Sequence, residues 1–375
     1  TSFQIEYQVG GTTGSWTKGN SPVTVGNLNH GDTVYARLTD GTNVGNSASI
    51  TILDKKAPTV SISTGAITEN SIEVKVTASS DGESGLVDTN TYKYYANNEL
   101  KYTGTQTNYT ITGLNAGTSY TIKVEAYDKA GNVGTTTTSA TTVKKVTESE
   151  SYVGYYADVD GNGTVDGVIY VDLSTDGGKS GQWGNSSGTY TISTGSNFKK
   201  YKVSKTGHSD DFGTKDVLTV SNSSGNERFY VMALDNVDST HCWYYRAKGN
   251  MSDYRTATSG SFGSGKQNTK NMIAKWNSNA YGLQYSNDMW GLSAVQSETW
   301  NGSSGWYVPS HNEWSAFGNQ LGITTSNYGD KGLSDCYWSS SQYDGHRAWS
   351  VYFYYGYMDG ITVPNSEFVR LGTTF

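Results

Sequence analysis

Charge is scarce in this chain of 375 residues: Asp, Glu, Lys and Arg together make up 16% of it. The formal net charge is −7 and no basic stretch stands ready to neutralise phosphates, so nucleic acid is not expected as a partner. Four prolines are too few for a proline-rich linker protein. No apolar run approaches bilayer-spanning length, so no transmembrane segment is expected. Two cysteines, Cys242 and Cys336, do not make a disulfide framework. They could pair with each other, but lone thiols, buried or half-exposed, are the expectation. The chain opens at Thr1 with neither methionine nor signal peptide, which reads as a processed or excised fragment. What fills the space is Gly, Ser, Thr, Asn and Tyr. Frequent Thr, Val, Tyr and Gly point to short strands joined by tight turns.

The length allows two or three domains. Two stretches echo each other. Leu28-Asn-His-Gly31-Asp-Thr-Val34 is matched by Leu114-Asn-Ala-Gly117-Thr-Ser-Tyr120, and each is followed by Asn-Val-Gly, at 43–45 and 132–134. Ile72, Val74 and Val76 mark a period-2 strand in the second copy. Strands at this spacing, with Gly, Asn and Asp in the turns, suggest a β-sandwich. Leu114-x-x-Gly117-Thr-x-Tyr120 resembles the tyrosine-corner region of bacterial immunoglobulin-like or fibronectin type III modules, and Ala57-Pro58-Thr-Val looks like a module start. The second module would run over 57–143. The first, 1–56, has some 27 residues before Leu28, against 57 before Leu114 counted from Ala57, so it is a short variant or a cut one. Such modules are expected to act as spacers. Residues 144–150, KKVTESE, read as a polar linker.

From Ser151 onward Tyr and Trp become dense and helices appear. Pro309-Ser310-His-Asn-Glu313 is a capping-box pattern. Trp314, Phe317 and Leu321 then form an apolar stripe ending at Gly322. A second helix is expected over Asn268 to Ser278. Near the C-terminus, Trp349, Val351 and Phe353 alternate with Ser350, Tyr352 and Tyr354. That alternation predicts one buried face, and the other face carries more tyrosine than a solvated strand needs.

The strings Trp306-Tyr-Val-Pro309-Ser310-His-Asn-Glu313-Trp314, Tyr337-Trp338-Ser-Ser-Ser341, Ala348-Trp349-Ser-Val351 and Phe368-Val369-Arg370-Leu371 resemble the C-type lectin fold used by the variable proteins of diversity-generating retroelements. Formylglycine-generating-enzyme-like domains are the broader relatives. The resemblance covers roughly Ser151 to Phe375. The implied fold class is multidomain: all-β immunoglobulin-like sandwiches followed by an α+β C-type lectin-fold domain over 151–375, with a variable segment at about 326–367.

In that family, error-prone reverse transcription replaces adenines, and Asn codons of the form AAY are the usual targets. Their products exclude Lys, Glu, Gln, Met and Trp. Between Tyr343 and Pro364 only Trp349 and Met358 lie outside the reachable set. The resemblance therefore implies a hypervariable binding face built from Tyr343, Asp344, Gly345, His346, Arg347, Ser350, Tyr352, Tyr354, Tyr355, Tyr357, Asp359, Gly360, Ile361 and Thr362. Tyrosines serve as rigid anchors there, and polar side chains set specificity. Phe353, and one of Tyr355 and Tyr357, are expected to pack inward. The implied partner is a protein or glycan on another cell or particle. The implied setting is extracellular, on a bacterial surface or a phage particle.

Asp158-Val-Asp160-Gly-Asn162-Gly163-Thr-Val-Asp166 has the oxygen spacing of the front of a calcium loop. The residues at stake are Asp158, Asp160, Asn162 and Asp166. Ile169 stands where a bidentate Glu belongs, and Asp172 could substitute only if the chain turned back. A plain hairpin turn explains the same residues. No cofactor is required by this reading, with Ca2+ the one candidate. Enzymatic activity is not expected. The five histidines show no metal spacing, and formylglycine chemistry would need a close cysteine pair.

Overall fold

A computed structural model describes residues 2–175, 183 and 191–375. The chain divides into two units, Thr1–Lys144 and Lys145–Phe375. It is a mostly β, multidomain protein with few helices.

Within the first unit the initial module is a single antiparallel sheet of Thr17–Gly19, Gln4–Val9, Thr33–Thr39 and Ala48–Thr51, in that order. The register sets Ile5 opposite Leu38, Tyr7 opposite Ala36 and Val34 opposite Ile50. Strand alternation therefore gathers these apolar side chains on one face. Leu38 and Ile50 are more than half exposed there. The other face is polar, with Arg37 paired to Glu6 at 2.9 Å. The short module foreseen from its spacing is thus one layer where a sandwich has two.

The second module has both layers. Thr59–Ile67, Ser71–Ser80 and Asn108–Thr112 form one sheet; Val133–Thr141, Ser119–Tyr127, Tyr92–Ala96 and Glu99–Gly104 form the other. Ile72, Val74, Tyr94, Ile111, Ile122 and Val124 make a fully buried core. The Tyr120 hydroxyl accepts from the Asn115 amide at 2.8 Å, the tyrosine-corner bond. The repeated Asn-Val-Gly has a physical cause. Asp40 caps the turn before Asn43, accepting from the amides of Thr42 and Asn43. Asp128 does the same for Asn132.

The second unit is organised around a six-stranded mixed sheet. Its order is Lys200–Asp210, Gly213–Asn222, Tyr156–Ala157, Gly167–Asp172, Phe229–Ala233 and Gly372–Thr374. A three-stranded antiparallel sheet, Cys336–Gln342, Arg347–Tyr352 and Tyr357–Thr362, follows later in the chain. The helix His311–Gln320 touches both sheets. Its capping box is present: Ser310 accepts from the Glu313 amide, and the Glu313 carboxylate accepts from the Ser310 amide at 2.6 Å. Gly322 takes the left-handed conformation that ends the helix (φ 63). Trp314 and Phe317 enter a core with Tyr170, Trp183, Tyr337, Val351 and Phe353. The second helix runs over Gly265–Asn277. Cys242 and Cys336 are both buried and unpaired.

Residues 145–150 belong to the second unit rather than forming a free linker. Arg228 donates to the carbonyls of Thr147 and Glu150, both at 2.9 Å.

Candidate functional site: the tyrosine face

The strand Arg347–Tyr352 lies between its two partners, with Ser350 opposite Asp359 and Tyr352 opposite Tyr357. A tight turn, 353–356, joins it to Tyr357–Thr362. Phe353 points inward and is fully buried against Trp183 and Trp314. Its neighbours point out: Tyr354 is 58%, Tyr355 63% and Tyr357 46% exposed. Tyr355 lies 4.9 Å from Tyr354 and 5.9 Å from Tyr357, and Tyr357 lies 5.3 Å from Tyr352. Four rings form one aromatic cluster at the surface. Neither Tyr355 nor Tyr357 packs inward, contrary to the expectation for one of them; the turn throws both rings outward together.

Beneath the cluster the face is fixed. Tyr352 is half-buried, and burial pushes its hydroxyl above the usual tyrosine range. Cys336 and Glu367 face it, and burial raises both of them as well. Ser350 is fully buried, donating to the Tyr337 carbonyl at 2.6 Å and lying 2.9 Å from Cys336 Sγ. Ile361 is buried too. Both were expected on the exposed face. Ser350 sits on the middle strand, and Ile361 is buried although Asp359, two residues before it on the same face, is exposed, a difference alternation cannot reveal.

The turn at 343–347 is built from its own side chains. Asp344 accepts from the amides of His346 and Arg347 and pairs with the Arg347 guanidinium at 2.7 and 2.8 Å. Arg347 lies over the Tyr343 ring at 4.3 Å. Hydrogen bonds from this turn hold the Asp344 carboxyl below its usual range, against the opposing effect of burial. Gly360 has a packing role, since a Cβ there would come within 2.5 Å of the Tyr343 ring. His346, Asp359 and Thr362 are exposed, while Tyr343, Asp344, Gly345, Arg347 and Gly360 are half-buried. Two further exposed rings, Tyr245 and Tyr285, lie 4.6 Å apart and tilted to each other. Tyr245 opens a single 3-10 turn and Tyr285 lies in a loop, both too short for periodicity to mark.

Trp349, foreseen as core, is half-buried and stacks flat on His311 at 4.0 Å. His311 is buried, its Nε2 has no partner, and burial pushes its pKa down to about 4. The folded protein thus keeps this imidazole neutral where the unfolded chain, titrating near 6.5, would protonate it. Stability is present above pH 6.5 and drains as pH falls towards 4, by at most about 3 kcal/mol. Glu313, raised by burial, titrates with the opposite sign, so the comparison must be between variants. Urea melts at pH 7, 5.5 and 4.5 should show wild type losing more stability than His311→Gln. Equal slopes for the two would rule this account out.

Three of the four foreseen metal ligands come together elsewhere in the unit. Tyr156 pairs with Val168 and Ala157 with Gly167, so the segment is also the hairpin that the turn residues suggested. Oxygens of Asp158, Asp160 and Asp166 lie within 4.8 Å of one another. Asn162 is engaged locally: its Oδ1 accepts from the Thr164 amide at 2.7 Å and its amide donates to Asp160. Ile169 is buried in the sheet, and Asp172 is bound to Arg228, so neither serves the loop.

Residues 56–144 match the fibronectin type III domain family. Exoglucanase B of Cellulomonas fimi is 36% identical over 122 residues, covering 31% of this chain and 10% of that protein. The chain thus spans about a tenth of the length of that curated relative. Chitinase ChiA74 from Bacillus thuringiensis is similar at 30% identity over 25% of this chain and 14% of its own, with a TM-score of 0.22. A two-domain fibronectin type III segment of chicken tenascin is 17% identical over 37% of this chain and 83% of its own, with a TM-score of 0.27. Among the described residues no helix is long and apolar enough to cross a membrane. The chain carries a fibronectin type III domain over residues 56–144, within a mostly β multidomain architecture.

Proposed function

We propose that this chain is a hypervariable binding protein in which immunoglobulin-like and fibronectin type III spacers present a C-type lectin scaffold. Its diversified tyrosine face would bind a protein or glycan on another cell or particle. Such a protein acts outside the cell, on a bacterial surface or a phage particle. The observation that carries the reading is the cluster of Tyr354, Tyr355 and Tyr357, each near or above half exposed, on a turn anchored by the fully buried Phe353. Contiguous exposed aromatics are costly to display in water, and tyrosine is the side chain that binding surfaces use most. His346, Asp359 and Thr362 would supply polar selectivity at the rim.

A second reading is a secreted glycan-processing or structural surface protein whose C-terminal segment is fixed scaffold. In its favour, one similar protein is named as an exoglucanase. DNA sequencing around the gene separates the two. The first reading expects an imperfect repeat of the last coding segment beside a reverse transcriptase gene. It also expects sister genes that differ at His346, Tyr354, Tyr355, Tyr357, Asp359 and Thr362 while keeping Trp349, Val351, Phe353 and Met358. Sister genes that never differ at the exposed positions would refute it.

A further inference from the structure

We propose that the turn closing the Tyr156–Ala157 and Gly167–Asp172 hairpin is a divalent-cation site, with Asp158, Asp160 and Asp166 as ligands and calcium as the ion it suits. The site is independent of the tyrosine face.

Acidic clusters on surfaces usually need no ion, because water solvates each carboxylate. This cluster is different. Asp158 and Asp166 are each 1% exposed. One oxygen of each is spent on the turn itself: Asp158 Oδ2 accepts from the Gly163 amide at 3.1 Å, and Asp166 Oδ2 accepts from the Val159 amide at 2.8 Å. The other oxygen of each, Oδ1, is buried without any hydrogen-bond partner. Asp158, Asp160 and Asp166 each bring one carboxylate oxygen within 4.8 Å of the others. A buried carboxylate oxygen with no donor is costly, and carboxylates gathered this closely repel one another. A cation between the three would satisfy both orphan oxygens at once.

The backbone is shaped for this. Gly161 and Gly163 both hold left-handed φ values, 76° and 90°, which fold the loop back so that residues 158 and 166 meet. Calcium takes about six to eight oxygens in adaptable geometry, whereas magnesium demands a tighter octahedron. Three carboxylates on a glycine-hinged loop fit the former. Loop carbonyls and water would complete the shell. Asn162 would join only by giving up its bond to Thr164.

The first unit offers an internal control. Asp54, Asp81 and Asp128 also lie within 4.8 Å of one another. Both oxygens of Asp54 and of Asp128, and Oδ2 of Asp81, accept from Lys56, Ser84, Asn132 and Gly85, so that cluster is held by the protein's own donors.

The test uses the full chain, stripped with chelator and titrated with CaCl2 by calorimetry, with melting curves alongside. Wild type should give a binding heat and a melting-temperature rise of roughly 5–10 °C at Ca2+ one hundred times Kd. Asp166→Asn, nearly isosteric and relieved of one repelling charge, should fold and lose both signals. Asp158→Asn should do the same. Asp81→Asn should keep them. Absence of heat and shift in wild type at millimolar Ca2+ overturns the proposal, as does a response that survives Asp166→Asn but vanishes in Asp81→Asn. An equal response to MgCl2 at matched concentration overturns the assignment to calcium.

Discussion

Replacing Arg228 with leucine should lower the stability of the second unit by about 3–5 kcal/mol. Arg228 is 2% exposed and Asp172 is fully buried. The guanidinium meets the carboxylate with two bonds of 2.8 Å, from Nε to Oδ1 and from Nη2 to Oδ2. Its remaining donors hold Thr147 and Glu150. Asp172 in turn accepts from the Tyr152 amide and from Ser174. Leucine removes every guanidinium bond and strands a carboxylate in the interior, which is the expensive way to break a buried pair. Thermal melts should show a fall of roughly 10 °C. Asp172→Leu in the same chain should recover much of the loss, because the stranded charge is then gone. Arg228→Lys should not, since an ammonium cannot reproduce the two-pronged geometry. A shift below about 2 °C for Arg228→Leu would mean that the 145–150 segment and the sheet hold without this pair.

Phe353→Ala should cost about 3–5 kcal/mol, whereas Tyr354→Ser, Tyr355→Ser and Tyr357→Ser combined should cost under about 1 kcal/mol. Phe353 is enclosed by Trp183, Trp314, Phe317, Tyr328 and Tyr337. Alanine leaves a cavity where an aromatic ring was. The three tyrosines touch mainly each other and Tyr352, so their loss removes exposed ring contacts alone. Adjacent residues in one turn would then differ several-fold in their effect on folding. Urea melts of the two variants measure it. Comparable losses would show the tyrosines to be structural, and the reading of them as an interchangeable surface would fall.

Local rules carried much of the architecture. The alternation of Ile72, Val74 and Val76 found its strand, Leu114-x-x-Gly117-Thr-x-Tyr120 found its corner bond, and Ser310 with Glu313 found its capping box. Each depends on side chains a few residues apart, which is the range a pattern can read. The failures lie at longer range. The 145–150 segment looks like solvated linker because the Arg228 that pins it lies about eighty positions downstream. Asp172 looks available to a metal until the same arginine takes it. Ser350 and Ile361 alternate correctly with core residues, yet what covers their face comes from other parts of the chain. Trp349 breaks its expected burial for the converse reason: His311 covers its face and Tyr343 its edge, and the ring is still only half-buried.

The closing strand of the central sheet has a genetic consequence. Gly372–Thr374 pairs with Tyr230–Met232, and the Phe375 carbonyl accepts from Tyr201 and from the amides of Arg228 and Phe229. Everything between Tyr343 and Thr362 is translated before that strand. A premature stop or a shifted frame in the patch would therefore delete the edge that completes the sheet, and the product would not reach its folded form. Substitution of the first two bases of an AAY codon never creates a stop, because TAY encodes Tyr and TGY encodes Cys. On the proposed reading, a gene copy would display a face only if its frame stayed open through the Gly372–Thr374 strand.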